Sequence, residues 1–261
     1  MKKFLIIANW KLNGNYKFIN KNINLIKKKI DNLLNYCNLS IAPPFVYLSY
    51  INNFLKNTSI SLTAQNVDIH IKGSFTGEIS IKMLKDIGVK YVIIGHSERR
   101  LYHNENNNSI SKKFILIKNN GLIPILCIGE TEKQKKQNET EKICIQQIDN
   151  ILENSNINIL NKTIIAYEPI WAIGSGKSAN MNEIQKVILY IKKYIASLNP
   201  QIAENIYFVY GGSVNYSNLD IFLKKKIING FLVGKASLTT ENFISLVKKA
   251  EKIISLLNNR S

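Results

Sequence analysis

Cysteine and histidine are scarce in this chain of 261 residues, which has three of each. The cysteines, Cys37, Cys127 and Cys144, are odd in number and show no C-x-x-C spacing, so the sequence predicts neither a disulfide framework nor a zinc site. The histidines show no paired spacing, and we expect no metal. This cysteine usage is typical of a reducing compartment, and we expect a cytoplasmic protein.

Long apolar runs are absent as well. Residues 4–8 follow two lysines, as the core of a secretion signal would, but the run ends at Asn9, short of the roughly 7 to 15 apolar residues that such a core needs. No stretch approaches the roughly 20 apolar residues of a membrane-spanning helix. The sequence therefore predicts no membrane partner.

Acidic residues are few, with 18 aspartates and glutamates against 35 lysines and arginines, a net charge of +17. A polyanion such as nucleic acid is one partner that this charge would suit. The lysines are scattered in small groups on the polar sides of predicted helices, and asparagine and isoleucine are also abundant. We therefore interpret the charge as compositional drift and expect no nucleic-acid partner. Retention on DNA that falls steeply with rising salt would favour the alternative.

Eight short apolar runs recur along the chain, and most precede a longer segment with helical spacing of its apolar residues. The predicted strands are residues 4–8, 39–42, 60–64, 91–94, 123–127, 164–167, 207–210 and 231–233. The predicted helices are residues 18–34, 46–55, 79–87, 109–119, 139–152, 182–198, 217–223 and 241–257. Strands that are apolar on both faces are typical of a parallel sheet covered by helices. We predict a closed eight-stranded parallel (β/α)8 barrel that forms one domain over residues 1–261.

Polar residues at the carboxyl ends of the predicted strands are candidates for chemistry, because those ends form the open face of such a barrel. Asn9 and Lys11 follow the first strand, His96 the fourth and Glu168 the sixth. Taken singly, Lys11 could be a solvated lysine, His96 a core histidine and Glu168 a surface ion-pair partner. Together they supply a cation, a neutral donor and a carboxylate base, which proton abstraction beside a carbonyl requires. A helix that begins just after His96 would disfavour its charged form.

Glycines at the same face indicate an anion site. Gly174, residues 211–213 and Gly234 would let backbone N–H groups approach a ligand closely. A short helix that begins near Ala236 would point its positive end at the same place. Phosphate is the anion that this arrangement suits.

Several motifs resemble the triosephosphate isomerase family, in the expected order along essentially the whole chain. The segment AYEPIWAIGSGK at 166–177 is similar to the active-site signature of that family, with Ser175 where threonine is usual. The further matching blocks are NWKLN at 9–13, AQNV at 64–67, GE at 77–78, GHSERR at 95–100 and YGGSV at 210–214.

The resemblance implies an enzyme of glycolysis and gluconeogenesis that interconverts dihydroxyacetone phosphate and D-glyceraldehyde 3-phosphate through an enediolate, without cofactor or metal. It implies that Glu168 moves the proton, that neutral His96 polarises the carbonyl, and that Lys11 and Asn9 stabilise the developing charge. The remaining residues that it implies bind substrate, besides Asn9 and Lys11, are Gly174, Ser213, Leu232, Gly234 and Lys235.

Supporting residues follow from the same resemblance. Residues 169–179 would form a lid whose closed form Tyr210 and Ser213 hold, while Ile173 and Leu232 press on Glu168. Glu98 would hold Lys11 in place. Cys127 would pack behind Glu168 and not act as a nucleophile.

A homodimer is implied too, built on the loop that begins at Val67 and ends at Thr76. That loop is long for a connection in a barrel and carries apolar residues with nothing obvious to cover them in their own subunit. Two positions depart from the family pattern: Asn229 stands for aspartate and Lys235 for glycine. The second puts the efficiency of phosphate binding in doubt. An enzyme acting on another sugar phosphate is the alternative, since it would keep the glycines without needing Lys11, His96 and Glu168 together.

Overall fold

Eight parallel strands form a closed barrel in which each strand pairs with its neighbours in sequence and the first pairs with the eighth. The computed structural model describes residues 3–172 and 180–259. The strands are β1 (Phe4–Asn9), β2 (Cys37–Ala42), β3 (Ser61–Ala64), β4 (Tyr91–Ile94), β5 (Ile123–Ile128), β6 (Ile164–Tyr167), β7 (Tyr207–Tyr210) and β8 (Gly230–Val233). The predicted barrel is confirmed, and β4, β6 and β7 have the predicted bounds.

Helices cover the outside of the barrel. They are α1 (Tyr16–Ile30), α2 (Leu48–Leu55), α3 (Ile81–Asp86), α4 (Ser97–Tyr102), α5 (Asn107–Asn119), α6 (Glu132–Lys136), α7 (Thr140–Leu152), α8 (Met181–Leu198), α9 (Pro200–Asn205), α10 (Leu219–Leu223) and α11 (Thr240–Asn258). Every predicted helix is present, but the first ends at Ile30 and not at residue 34, because a 3₁₀ turn, Asp31–Leu33, follows it. The sequence did not predict α6 and α9, which at five and six residues are too short to show a hydrophobic period.

Two apolar layers hold the barrel together. Alternate strand residues such as Leu5, Ile93 and Val209 fill its interior, and the intervening residues pack against the helices. This alternation decides what the open end of the barrel presents. On β1 the inward face that carries Leu5 and Ile7 continues to Asn9, and on β6 the inward face that carries Ile164 and Ala166 continues to Glu168. In the described ranges, no helix combines the length and the apolar character needed to cross a membrane.

Candidate active site

Lys11 is held at the mouth of the barrel by contacts on several sides. Its φ of 51° lies in the left-handed region, which non-glycine residues seldom adopt. Its backbone N–H donates to Asn9 Oδ1 at 3.1 Å, and its carbonyl accepts from Gln65 Nε2 at 3.0 Å. Its ammonium group donates to Glu98 Oε1 at 2.7 Å, which is the contact that the predicted role of Glu98 requires. The surrounding contacts therefore fix both the backbone and the charged end of Lys11.

His96 lies at the N-terminus of α4, and its contacts determine where its proton sits. The backbone N–H of Glu98 donates to His96 Nδ1 at 3.3 Å. A carboxylate oxygen of Glu98 is 3.6 Å from the same nitrogen, but the backbone N–H can only donate, so Nδ1 is the acceptor. The proton of a neutral imidazole is then on Nε2, which faces Glu168.

Glu168 is buried beside His96. The backbone N–H of Ser97 donates to its Oε2 at 3.1 Å, and its Oε1 is 3.4 Å from His96 Nε2. Among the described residues, none makes a hydrogen bond to this Oε1, although it is buried. A buried carboxylate oxygen without a hydrogen bond is well suited to take a proton from a ligand.

Two glycines of the β7 loop make room for these side chains. A Cβ at Gly211 would lie 2.6 Å from Glu168 Cγ and 3.1 Å from its Oε1. A Cβ at Gly212 would lie 2.1 Å from the hydroxyl oxygen of Tyr210, which is fully buried. The sequence predicts that these glycines bind an anion, and the structure shows that the absence of a Cβ at both positions also makes room for neighbouring protein groups.

A cavity of about 460 Å³ lies over these residues. Every substrate-site residue that the sequence predicts within the described ranges lines it: Asn9, Lys11, His96, Glu168, Ser213, Leu232, Gly234 and Lys235. The sequence did not single out Thr239 and Asn242, which line the same cavity. The volume suits a small metabolite.

The short helix predicted near Ala236 is a single 3₁₀ turn, Lys235–Ser237. Ser237 donates to the Gly234 carbonyl from its backbone N–H at 2.8 Å and from its hydroxyl at 2.7 Å. Lys235 opens this turn with a negative φ, so a side chain is accommodated there without backbone strain. At the other departure, Asn229 Oδ1 accepts from the backbone N–H of Phe208 at 2.9 Å and so still ties β8 to β7.

The predicted lid can be followed only in part, because Ile173 and Gly174 lie outside the described residues. In the described part of the predicted lid, the Ala172 carbonyl accepts a hydrogen bond from the Ser213 hydroxyl at 3.4 Å. Cys127 is buried, and burial together with the Glu168 carboxylate raises the pKa of its thiol well above the usual value. The thiol therefore stays protonated, as a packing role requires.

A buried carboxylate, Glu130, is hydrogen-bonded to side chains on both sides of Glu168 in the chain and was not predicted. It accepts from the Trp171 indole Nε1–H at 2.8 Å and from the Tyr167 hydroxyl at 3.1 Å. Burial raises the pKa of Glu130, and these hydrogen bonds oppose the shift. Its position two residues after β5, at the open end of the barrel, is the sequence signal that could have identified it.

Exposed apolar side chains gather near the same end of the barrel, after the first four strands. They are Leu12, Val46, Ile71, Phe75, Leu101 and Tyr102. Within the loop 67–76, the Phe75 ring stacks on His70 at 3.5 Å, so it is partly covered in its own chain. Behind the loop, buried Lys113 donates to Asn66 Oδ1 at 3.0 Å and pairs with buried Glu105.

Comparison with known proteins gives consistent matches over almost the whole chain. A sequence profile of the triosephosphate isomerase family matches residues 4–250. The triosephosphate isomerase of Baumannia cicadellinicola subsp. Homalodisca coagulata is 47% identical over 252 residues, which cover 97% of this chain and 98% of that protein. That of Blochmanniella floridana is 48% identical over 257 residues, 97% and 98% of the two chains. That of Buchnera aphidicola subsp. Schizaphis graminum is 48% identical over 254 residues, 97% and 100% of the two chains.

Proposed function

The chain belongs to the triosephosphate isomerase family, and from that premise we propose how its own residues carry out the reaction. It interconverts dihydroxyacetone phosphate and D-glyceraldehyde 3-phosphate, a reaction of glycolysis and gluconeogenesis. The isomerisation moves a proton between neighbouring carbons and needs a base, a proton donor for the oxygens and a group that stabilises negative charge. The observation that supports the assignment most strongly is the meeting of Lys11, His96 and Glu168 in one cavity.

Glu168 is the base in this proposal. Its Oε1 removes a proton from C1 of dihydroxyacetone phosphate, the electron pair of that C–H bond forms the C1–C2 double bond, and negative charge develops on O2. Return of the proton from Glu168 to C2 gives the aldehyde. Burial of the carboxylate in a cavity that Leu232 also lines supports this role, because a poorly hydrated base does not have to shed water first.

His96 is the electrophile. With Nδ1 accepting from a backbone N–H, its Nε2–H is the group that can donate to O2 as charge develops there. The same nitrogen then takes the proton from O1 as the aldehyde forms, so that the protons on the two oxygens balance. A neutral imidazole suits both transfers.

Lys11 and Asn9 stabilise the negative charge of the enediolate. The Lys11 ammonium is already oriented by Glu98 and is part of the cavity wall. A cation that is in place before the reaction costs little reorganisation when charge appears.

The phosphate binds at the other end of the cavity. We propose that backbone N–H groups of the β7 loop around Ser213 and of the turn after Gly234 bind it, together with Gly174 from the segment outside the described residues. Lys235 lines this end and supplies positive charge for a dianion.

We further propose that the whole chain is one cytoplasmic domain and that two copies form a homodimer through the loop 67–76. The exposed apolar side chains after β1 to β4 support the dimer, because a second copy would remove them from water. Thr76 would then reach towards the neighbouring subunit's active site.

The function is tested by coupling formation of glyceraldehyde 3-phosphate to its dehydrogenase and following the reduced nicotinamide, with and without a phosphorylated mimic of the enediolate. We expect turnover without added metal or cofactor and strong inhibition by the mimic. Turnover of another sugar phosphate in place of the triose would instead support the alternative of a different barrel enzyme.

A further inference from the structure

We propose that Lys135 is a positioning residue for Glu168: its ammonium group holds the Trp171 indole, and the indole holds the turn that follows Glu168. Lys135 touches neither the cavity nor the reacting groups, so its effect would pass through Trp171. The inference rests on the proposed role of Glu168 as the base.

The Trp171 indole is held by groups of opposite charge. The Lys135 Nζ lies 3.5 Å from the centroid of the ring, over its face. At the edge of the ring, Nε1–H donates to Glu130 Oε1 at 2.8 Å. An ammonium over an aromatic face and a carboxylate at the indole N–H are both attractive arrangements. Together they select one orientation of the indole.

That orientation matters because Trp171 is three residues from Glu168, in the 3₁₀ turn Ile170–Ala172. Three hydrogen bonds hold the backbone of this stretch. Glu168 N–H donates to the Ile128 carbonyl at 2.8 Å, Ile170 N–H to the Glu130 carbonyl at 3.1 Å, and Ala172 N–H to the Pro169 carbonyl at 2.8 Å. A shift of the indole would therefore move Glu168, because only a short, hydrogen-bonded stretch of backbone separates the two residues.

Lys135 is itself well anchored. It lies on α6, whose first turn is a capping box in which Thr131 and Gln134 bind each other's backbone N–H groups. Its Nζ also donates to Glu183 Oε2 on α8 at 2.9 Å. The Glu183 carboxylate and the Trp171 ring therefore both hold the flexible side chain of Lys135. A half-exposed ion pair alone contributes little to stability. The contact with Trp171 is the interaction through which Lys135 would affect the position of Glu168.

The neighbouring lysine supplies a matched control. Lys136 lies on the same helix and pairs with Glu132 at 2.9 Å, with about three quarters of its side chain exposed (74%). Removing its charge changes the net charge of the protein by the same amount as at Lys135 without touching the indole.

The experiment compares Lys135→Met, Lys135→Arg and Lys136→Met with the wild-type enzyme. Steady-state kinetics give kcat and KM, and acrylamide quenching of fluorescence gives the accessibility of Trp171, because the other tryptophan, Trp10, is fully buried. We expect Lys135→Met to lower kcat about threefold to tenfold with KM within about twofold of wild type. It should also increase quenching. Lys135→Arg, which keeps a cation over the ring, should restore most of kcat, and Lys136→Met should match wild type.

Several outcomes would overturn the proposal. They are an unchanged kcat in Lys135→Met, a lowered kcat with unchanged quenching, an equal loss in Lys136→Met, and no restoration by arginine. A wild-type enzyme without isomerase activity would contradict the proposed function itself, and the role of Lys135 in catalysis with it. A failure confined to the variants would leave the proposed function standing.

Discussion

Replacing Gly211 by alanine tests whether the position of the Glu168 carboxylate limits the rate. The new Cβ would lie 2.6 Å from Glu168 Cγ, whereas ordinary contacts at a Cβ are 3.4 to 4 Å, so the carboxylate must retreat by roughly 1 Å. A misplacement of that size costs on the order of 10²-fold in rate, about 2.7 kcal/mol. We expect kcat to fall by that factor while KM, which depends mainly on the phosphate end of the cavity, changes little.

Glu168→Asp provides the matching half of a double-mutant cycle. Removing one methylene withdraws the carboxylate from His96 and by itself should also cost about 10²-fold in kcat, for the same geometric reason. In the double variant the methyl group of alanine occupies space that the shorter side chain leaves. The losses should therefore not multiply, and we expect a combined loss below about 10³-fold.

The assay is the coupled isomerase assay, with circular dichroism and thermal unfolding to verify that each variant is folded. A Gly211→Ala enzyme with kcat within a few-fold of wild type would show that the base tolerates displacement and that its position does not limit the rate. Strictly multiplicative losses would show that the two sites act separately and that the close contact between them does not decide the rate.

The remaining predictions concern phosphate binding, the buried ion pair and the oligomer. Lys235→Gly should change kcat/KM by less than about tenfold, since Lys235 already has a negative φ; a larger loss would mean that the lysine is a main phosphate ligand, and a larger gain that it impairs the site. Lys113→Met should lower the free energy of unfolding by about 1 to 3 kcal/mol in urea titrations, because it removes the nearer of two cations from buried Glu105 and leaves it with Arg99 at 3.5 Å; a loss near zero would contradict this. Analytical ultracentrifugation at micromolar concentration should give a dimer, and a fully active monomer would refute an interface at the loop 67–76.

The barrel could be predicted because its strands are apolar on both faces, a pattern that short runs such as 164–167 show clearly. Most of the candidate site could be predicted for a related reason. Carboxyl ends of parallel strands meet at one end of the barrel, so Asn9, His96 and Glu168 had to be neighbours once the strands were assigned. The glycines that we propose for phosphate binding could be picked out by their position after β7 and β8.

What could not be predicted depends on distances between segments that are far apart in sequence. The packing of Gly211 against Glu168 and the hydrogen bond from Trp171 to Glu130 are of this kind. The left-handed backbone of Lys11 is another, because local preference disfavours it and contacts with Gln65 and Asn9 stabilise it. The five-residue helix α6 was missed because it buries no side chain and so leaves no apolar period.

The role of Glu168 as the base can be followed by isomerising dihydroxyacetone phosphate in D₂O, trapping the product with its dehydrogenase and examining it by proton NMR. If Glu168 carries the proton between C1 and C2, its carboxyl proton can exchange with solvent before it is returned. We therefore predict deuterium at C2 of the trapped product, and neither turnover nor exchange above background in Glu168→Gln. A product that carries only hydrogen at C2, or a Glu168→Gln enzyme that still introduces deuterium at a comparable rate, would show that Glu168 does not carry the proton.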